Sequence, residues 1–470
     1  MLSETVKQQL LKKIIQDVEV LWGSLESIAQ TPGTGLGEME ARIEQGGRVI
    51  FGGLLQALAQ QIATQTPLVC PDCQKPLQRD SRGQRRTIRT VAGEITLLRD
   101  YGWCPHCKRW HHPADRRMGL DKSSSVSPRM AEIATLLTLK MPAAQAEEIS
   151  ERTSGIRLSR CGLHREARRQ GDKARRLMEH TARQTQSAEG VRSLTAPDLP
   201  GQSPFTLVIQ MDAFHIRERD EWGNTERLLK RKVEFSRWHW VYAGTCYRLD
   251  HCAKTASGRE IISQRGYVAT RMGLEYFEEL LYAEALQRGL RSAERVVVIA
   301  DGAIWIWNIA KERYSYAAHR LDLWHLNEHL WEIAHDIYGH TSQAEAWVRP
   351  LLRQIKSKAS GAIKTIESLQ ELRSQIPSEQ RKALDKQIDY LQANQHRMDY
   401  ADAQKRQEPL GSGAIESTCK QYQCRFKRSG QFWSLQGDES LLALETLYRN
   451  QRWHLLFPHS KITNPGPSLN

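Results

Sequence analysis

Through about residue 66, apolar side chains recur three and four positions apart, the period of amphipathic helices, with breaks at Thr31, Pro32 and Gly33 and again at Gly46 and Gly47. The rhythm then changes. QRRTIRTVAGEITLLRDYGW alternates β-branched and polar residues on both sides of Ala92 and Gly93, which predicts a β-hairpin. Helical spacing returns in SSSVSPRMAEIATLLTLK, where serine and proline mark a start, and in AAQAEEISERTSG, which Pro142 restarts and Gly155 ends. RLSRCGLHREARRQGDKARR supplies a third helix from Ser159. A helix, a glycine-containing turn and a basic helix then follow in the order of a helix-turn-helix. TARQTQSAEGVRSLTAPDLPGQSP is polar and reads as a linker, with a domain boundary near residue 203.

Beyond it the pattern is that of strands. FTLVIQMDAF is an apolar run ending at Asp212, residues 237 to 249 suit two further paired strands, and RVVVIADGA is a short buried strand ending at Asp301. The amphipathic helix GLEYFEELLYAEALQRG lies between them, so strands, helix and strand succeed one another as in an α/β domain with a mixed sheet. LWHLNEHLWEIAHDIYG, AEAWVRPLLRQIKS and SEQRKALDKQIDYLQANQ are again helical.

Composition adds a partner. The 470 residues are 40% apolar and 26% charged, a globular balance with room for about three domains. No apolar run is long enough to span a bilayer, and the amino terminus mixes acids with bases, which predicts a cytoplasmic protein without a membrane partner. A net charge of +13 favours a polyanion, nucleic acid first, although a basic protein without such a ligand has the same charge. Nine lysines and arginines against two acids between Arg152 and Arg176 make Arg160, Arg165, Arg168 and Arg169 candidate DNA contacts, a solvated helix face being the alternative.

Nine cysteines, an odd number, argue for reduced thiols rather than a disulfide framework. Cys70 and Cys73 frame CPDC, and Cys104 and Cys107 frame CPHC, one pair at each end of the expected hairpin. Four thiolates so placed suit a closed tetrahedral Zn²⁺, a zinc ribbon, with His106, His111 and His112 as spare ligands. A thioredoxin-like redox pair is the competing reading.

Asp212 and Asp301 at strand ends can converge, and a third acid, Glu416, opens a late helix in GSGAIESTCKQYQCRFK. Three carboxylates form a hard-oxygen set suited to two Mg²⁺ or Mn²⁺ ions acting on a phosphodiester. Lys420, Arg425, Lys427 and Arg428 follow on or beyond the same helix as candidate phosphate contacts. His215 and the RER run at 217 to 219 lie near Asp212, with a satisfied histidine favoured over a general base. Trp305 and Trp307 follow Asp301 and are expected in the core.

QMDAFHIRERDEWG, WHWVYAGTCYRL, VVVIADGAIWIWN, LDLWHLNEHLW and GSGAIESTCKQ, in this order, closely resemble the bacterial insertion-sequence transposases of the ISKra type, kin of the Mutator-like eukaryotic enzymes. The match spans most of residues 204 to 455. The resemblance implies a ribonuclease-H-like catalytic fold with a DDE triad on Asp212, Asp301 and Glu416. It also implies an acid and histidine pair on Asp322 and His325, where the strand AAHRL hands over to a helix, and an all-helical insertion before Glu416.

The expected architecture is multidomain α+β: an N-terminal helical region (1–66), a zinc ribbon (67–115), a helix-turn-helix-like DNA-binding region (116–182), a linker (183–203), a ribonuclease-H-like catalytic domain in two parts (204–321 and 406–455) around a helical insertion (322–405), and a tail (456–470). The expected function is that of a DNA transposase. It binds double-stranded element ends and target DNA, cleaves and joins strands with Mg²⁺ or Mn²⁺, and acts as a homodimer or higher oligomer in the bacterial cytoplasm. A catalytically inactive DNA-binding regulator and a stand-alone metal-dependent nuclease are the alternatives.

Overall fold

Alternation around a tight turn produces the first sheet. β1 (Gln78–Thr90) and β2 (Gly93–Cys104) pair antiparallel, and β3 (Arg109–His111) adds to β2. The turn closes at Thr90↔Gly93, where Gly93 has a φ of +105°, a region in which L side chains are strained. The computed structural model describes residues 4–31, 33, 35–197, 203–219, 230, 236–257 and 260–460. Its contacts divide the chain into two units, one running up to Arg169 and joined by a short segment from Phe457, the other Gln170–Leu456.

In the first unit, α1 (Glu4–Ala29) and α2 (Leu36–Gln65) form an antiparallel hairpin. The expected break at Gly46 and Gly47 does not occur: α2 runs through both. A Cβ on Gly46 would stand 2.5 Å from a Leu21 methyl, so this glycine admits a close helix approach instead of ending the helix. Ala59 of α2 packs on Ile88, Ile95 and Leu97 of the hairpin. α3 (Pro113–Arg117) follows the sheet. α4 (Pro128–Lys140) starts where Ser127 accepts from the Met130 N–H, and α5 (Ala143–Ser154) ends at Gly155, with φ +58°. α6 (Arg160–Gln184) contains the point in the sequence where the units divide, and α7 (Ala188–Leu194), capped by Ser187, lies within the stretch expected to be linker.

The second unit is built on β4 (Thr206–Arg219), β5 (Ser236–Arg248), β8 (Gly266–Thr270), β9 (Arg295–Ala300) and β10 (Ala318–Leu321), with β6 (Cys252–Lys254) and β7 (Glu260–Ile262) as a separate small ribbon. The main sheet has the order β10-β9-β4-β5-β8; β4, β9 and β10 are parallel, while β5 and β8 run antiparallel to their neighbours. Two expectations are corrected here. β4 does not stop at Asp212, because Phe214, Ile216 and Glu218 keep the buried period of two as far as Arg219. Residues 237 to 249 do not make two strands, because a single β5 pairs with β4 from Leu207↔Arg248 to Arg219↔Ser236.

α8 (Leu274–Gln287) and α9 (Ile304–Arg313) alternate with these strands. α10 (Leu323–Tyr338), α11 (Ser342–Ser357), α12 (Gly361–Gln375), α13 (Ser378–Asn394) and α14 (Tyr400–Lys405) follow β10. α12 had no counterpart in the sequence reading. α15 (Gly413–Phe426) and α16 (Leu435–Arg449) return to the sheet. Among the described residues no helix is long and apolar enough to cross a membrane.

Arg320 of β10 joins the sheet to the end of this helical segment. It is fully buried, donates to Asp399 at 2.8 and 3.0 Å, to Glu408 at 2.7 Å and to the Pro409 carbonyl at 2.9 Å. Removing one member of a buried charge pair leaves the other unpaired in low dielectric. Arg320→Met should therefore cost about 3–5 kcal/mol in chemical denaturation; a loss below about 1 kcal/mol, the scale of an exposed pair, would show that Glu408 is hydrated.

Candidate functional site

Three aspartates sit at one end of the parallel strands. Asp301 is the residue after β9 and Asp322 the residue after β10, while Asp212 lies two positions past the last parallel pair of β4, Gln210↔Ile299. The carboxyl end of parallel strands is where open α/β sheets place their ligands.

α15 is fastened over this end. Gln210, fully buried in β4, accepts from the Ile415 N–H at 2.9 Å and donates to the Gly411 carbonyl at 3.3 Å. Arg265 donates to the Ala414 carbonyl and to Thr418. The helix consequently brings Cys419 to 3.5 Å from Asp212 Oδ2, and Glu416 lies one turn earlier on the same helix.

Burial raises the pKa of Asp212, and the charge of Asp301 raises it further; the Ala213 N–H, at 2.6 Å from Oδ1, and His325 act in the opposite direction. The Cys419 thiol is pushed far up by burial beside Asp212, so it stays a donor. Asp301 Oδ1 accepts from Ala303 N–H at 2.9 Å. Among the described residues no lysine or arginine is salt-bridged to Asp212 or Asp301, and Glu416 has only the exposed Lys420 at 3.9 Å. The ligand oxygens of the three acids do not come together within 4.8 Å as a closed metal cluster.

Asp322 is engaged differently. It is fully buried, its Oδ1 caps α10 by accepting from Trp324 N–H at 2.8 Å, and its Oδ2 accepts from Ser412 at 2.5 Å. It anchors the turn that precedes α15, whereas His325, one turn into α10, stands near enough to Asp212 to lower its pKa. Sequence reasoning missed several neighbours. Tyr390 of α13 packs so closely on Gly302 that a Cβ there would lie 2.3 Å from its ring, and burial with the charges of Asp301 and Asp322 lifts its hydroxyl to about 12. Trp324 is exposed beside Asp322. Only the glycine after Asp301 hinted at such close packing in the sequence.

The basic candidates separate. Lys420, Lys427 and Arg428 are exposed, but Arg425 is buried, donates to Gln431 at 2.9 Å and lies 4.9 Å from the Trp433 ring centroid, with its pKa brought down by burial to about 10. Its place on the inner face of α15 removes it from any surface contact. Arg165 and Arg168 are exposed on α6; Arg160 pairs with Glu147 at 3.0 Å, and Arg169 pairs with Glu166 and donates to the Ser123 carbonyl. His215 lies on β4 and packs at a tilt against Trp240 of β5, and Trp307 is buried while Trp305 packs edge-on against Tyr242 and Phe277.

In the first unit the sulfurs of Cys70, Cys73, Cys104 and Cys107 all lie within 4.8 Å of one another, and none of the four is in a disulfide. The Cys107 N–H donates to Cys104 Sγ and holds that thiol down at about 7, as suits a thiolate ligand. The cluster could bind zinc. His111 stands 3.6 Å from Cys70 Sγ, whereas His112 is turned to the Asp100 carbonyl.

The profile of an uncharacterised protein family, UPF0236, matches residues 30–452. The chain belongs to this family. No curated protein matches it. Among solved structures, this UPF0236 protein is similar to the Drosophila P element transposase strand transfer complex at 11% identity, covering 72% of this chain and 95% of that one with a TM-score of 0.34, a likeness too distant to bear on fold or mechanism.

Two outcomes test the sites. Cys104→Ser should lower zinc, measured by atomic absorption, from one per chain to a small fraction and destabilise the β1–β3 sheet. Folding favours protonated Asp212, so that group contributes stability below the ordinary carboxylate pKa of about 4 and the contribution is lost as pH rises through the raised value. In chelator, Asp212→Asn should accordingly melt higher than the parent at neutral pH and equal to it in acid, and Mn²⁺ should raise the melting temperature of the parent only.

Proposed function

We propose that this UPF0236 protein is a DNA transposase that cleaves and joins strands through Asp212, Asp301 and Glu416. What supports the reading is the placement of Asp212 and Asp301, neither salt-bridged to a lysine or arginine among the described residues, at the carboxyl end of the parallel strands beneath a helix that bears Glu416. The strand order supports a ribonuclease-H-like domain: three antiparallel strands followed, through a helix, by two parallel ones on the far side of the first.

Uncompensated carboxylates fit a divalent cation, since their mutual repulsion falls when one binds. Asp212, Asp301 and Glu416 would hold Mg²⁺ or Mn²⁺, which supplies activation of a water or strand-end hydroxyl and stabilisation of the leaving oxygen. The protein's own part is positional. The Ala213 and Ala303 N–H groups and the Cys419 thiol orient the two aspartates, Gln210 fixes the height of α15, and Asp322 holds the turn before it. Exposed Lys420, Lys427 and Arg428 neutralise backbone phosphates, and the zinc ribbon with Arg165 and Arg168 of α6 engages the element ends.

Labelled element ends incubated with Mn²⁺ test the reading. Joined products are expected; hydrolysis without joining would make the protein a nuclease, and bound but uncut DNA a regulator. Asp301→Asn should abolish cleavage and leave end binding within a few-fold, and loss of both would move Asp301 into a structural role. Binding should weaken steeply with salt, because each neutralised phosphate adds to the slope.

A further inference from the structure

The turn that carries the first cysteine pair meets the last residue of β3. Cys70 and Cys73 frame a tight turn in which the Gln74 N–H donates to the Cys70 carbonyl and the Cys70 N–H to the Lys75 carbonyl. Asp72, inside that turn, is exposed, whereas His111, at the end of β3, is buried. The two residues meet at one nitrogen: His111 Nε2 stands 3.6 Å from Cys70 Sγ and 3.9 Å from Asp72 Oδ2.

Ligand atoms of Cys70, Asp72 and His111 lie within 4.8 Å of one another, as the four sulfurs do, and the two groups have Cys70 alone in common. An ion held by four thiolates is coordinatively closed and has no position left for an imidazole. His111 therefore stands beside Cys70 and outside the group of four, not in reserve for it. The separation also has a definite meaning. Zinc bonds of about 2.3 Å to sulfur and 2.0–2.1 Å to nitrogen, at the tetrahedral angle, set those two atoms about 3.6 Å apart, the distance that Cys70 Sγ and His111 Nε2 already keep. Asp72 Oδ2 needs to close by about half an ångström to reach its own bonding distance, a shift that an exposed carboxylate makes by rotation.

We propose that Cys70, Asp72 and His111 hold a second divalent ion, with the Cys70 thiolate bridging it to the ion of the four-thiol cluster. A thiolate sulfur has three lone pairs, and the first ion uses one. The donor set of sulfur, nitrogen and oxygen suits Zn²⁺ and not Mg²⁺, which takes oxygen. Charge favours the same occupant. Four thiolates outweigh one Zn²⁺ by two charges and Asp72 adds a third; Arg109 and Lys122, whose charges act on His111, offset part of that excess, and a second cation removes the rest. Three protein ligands leave the fourth position to water, so this ion exchanges while the closed one is retained. The isolated chain accordingly keeps one zinc and takes up another at micromolar free ion. The second site rests on zinc in the four-thiol cluster and is independent of the catalytic reading.

Titration of the full zinc-loaded chain with Co²⁺ is the test, in excess Mg²⁺ to fill hard-oxygen sites. Co²⁺ binds a given site less tightly than Zn²⁺, so the first ion stays in place, and atomic absorption checks that it does. One equivalent of Co²⁺ should bind, with thiolate-to-cobalt charge-transfer absorption and the d–d bands of a tetrahedral ion. Asp72→Ala and His111→Ala should each weaken this uptake by roughly tenfold or more, at least the loss that even an outer partner of a metal ligand causes. Zinc should remain at one per chain in both, and Asp72→Ala, altering an exposed side chain, should melt as the parent does. No cobalt uptake by a chain that holds one zinc overturns the proposal and leaves His111 as an N–H donor to Cys70. Uptake indifferent to both substitutions places the ion elsewhere and overturns it as well. Loss of the first zinc from folded His111→Ala would make the imidazole a ligand of the four-thiol ion and overturn the second centre. A chain that binds no zinc overturns the ribbon and the bridged site together.

Discussion

The side-chain amide of Gln210 sets the geometry on which the candidate centre depends. An amide buried in the middle of a sheet must satisfy both its ends, and here it does so by giving to Gly411 and receiving from Ile415, residues about two hundred positions later in the chain. Those two bonds fix the start of α15 against β4. Glu416 and Cys419, one and two turns along, inherit their positions from that fastening.

The helices between β10 and α15 are tied into the same arrangement at both ends. Asp322 closes the sheet side by capping α10 and holding Ser412, while Arg320 gathers Asp399, Glu408 and the Pro409 carbonyl on the return. Tyr390, from the middle of the segment, reaches the end of β9. The helical segment therefore forms a wall of the carboxylate site as well as filling the interval before Glu416. Burial raises the pKa of Asp212 and keeps Cys419 protonated beside it, the neighbouring acids add to both shifts, and a bound cation would relieve that added part.

In the first unit, order comes from other sources. A sheet with few buried apolar residues gains a cluster of four thiols at its open end, and Asp115 draws Arg86 and Arg99 onto one side chain at 2.7 and 3.0 Å. The helical hairpin beside it packs part of its apolar surface on the sheet and keeps the rest exposed.

Local rules made much of this legible from residues alone. Strand and helix periods located β1, β2, β9, α4, α5 and α8, the Cys-x-x-Cys spacing singled out four sulfurs that the fold does bring together, and Gly155 ended its helix as a left-handed cap should. Where a residue's meaning depended on what lay across from it, sequence was silent or misleading. Gly46 looked like a breaker until Leu21 stood against it; Asp212 looked like a strand end until β5 continued the ladder past it; Arg425 looked like a phosphate contact until α15 turned it inward. Periodicity and ligand spacing are properties of neighbours along the chain, so the sequence by itself determined the elements and the thiol cluster. The fastening of the helix that bears Glu416 over the strand that bears Asp212 arises from contacts of Gln210 with Gly411 and Ile415, about two hundred positions away, and only the tertiary structure decided it.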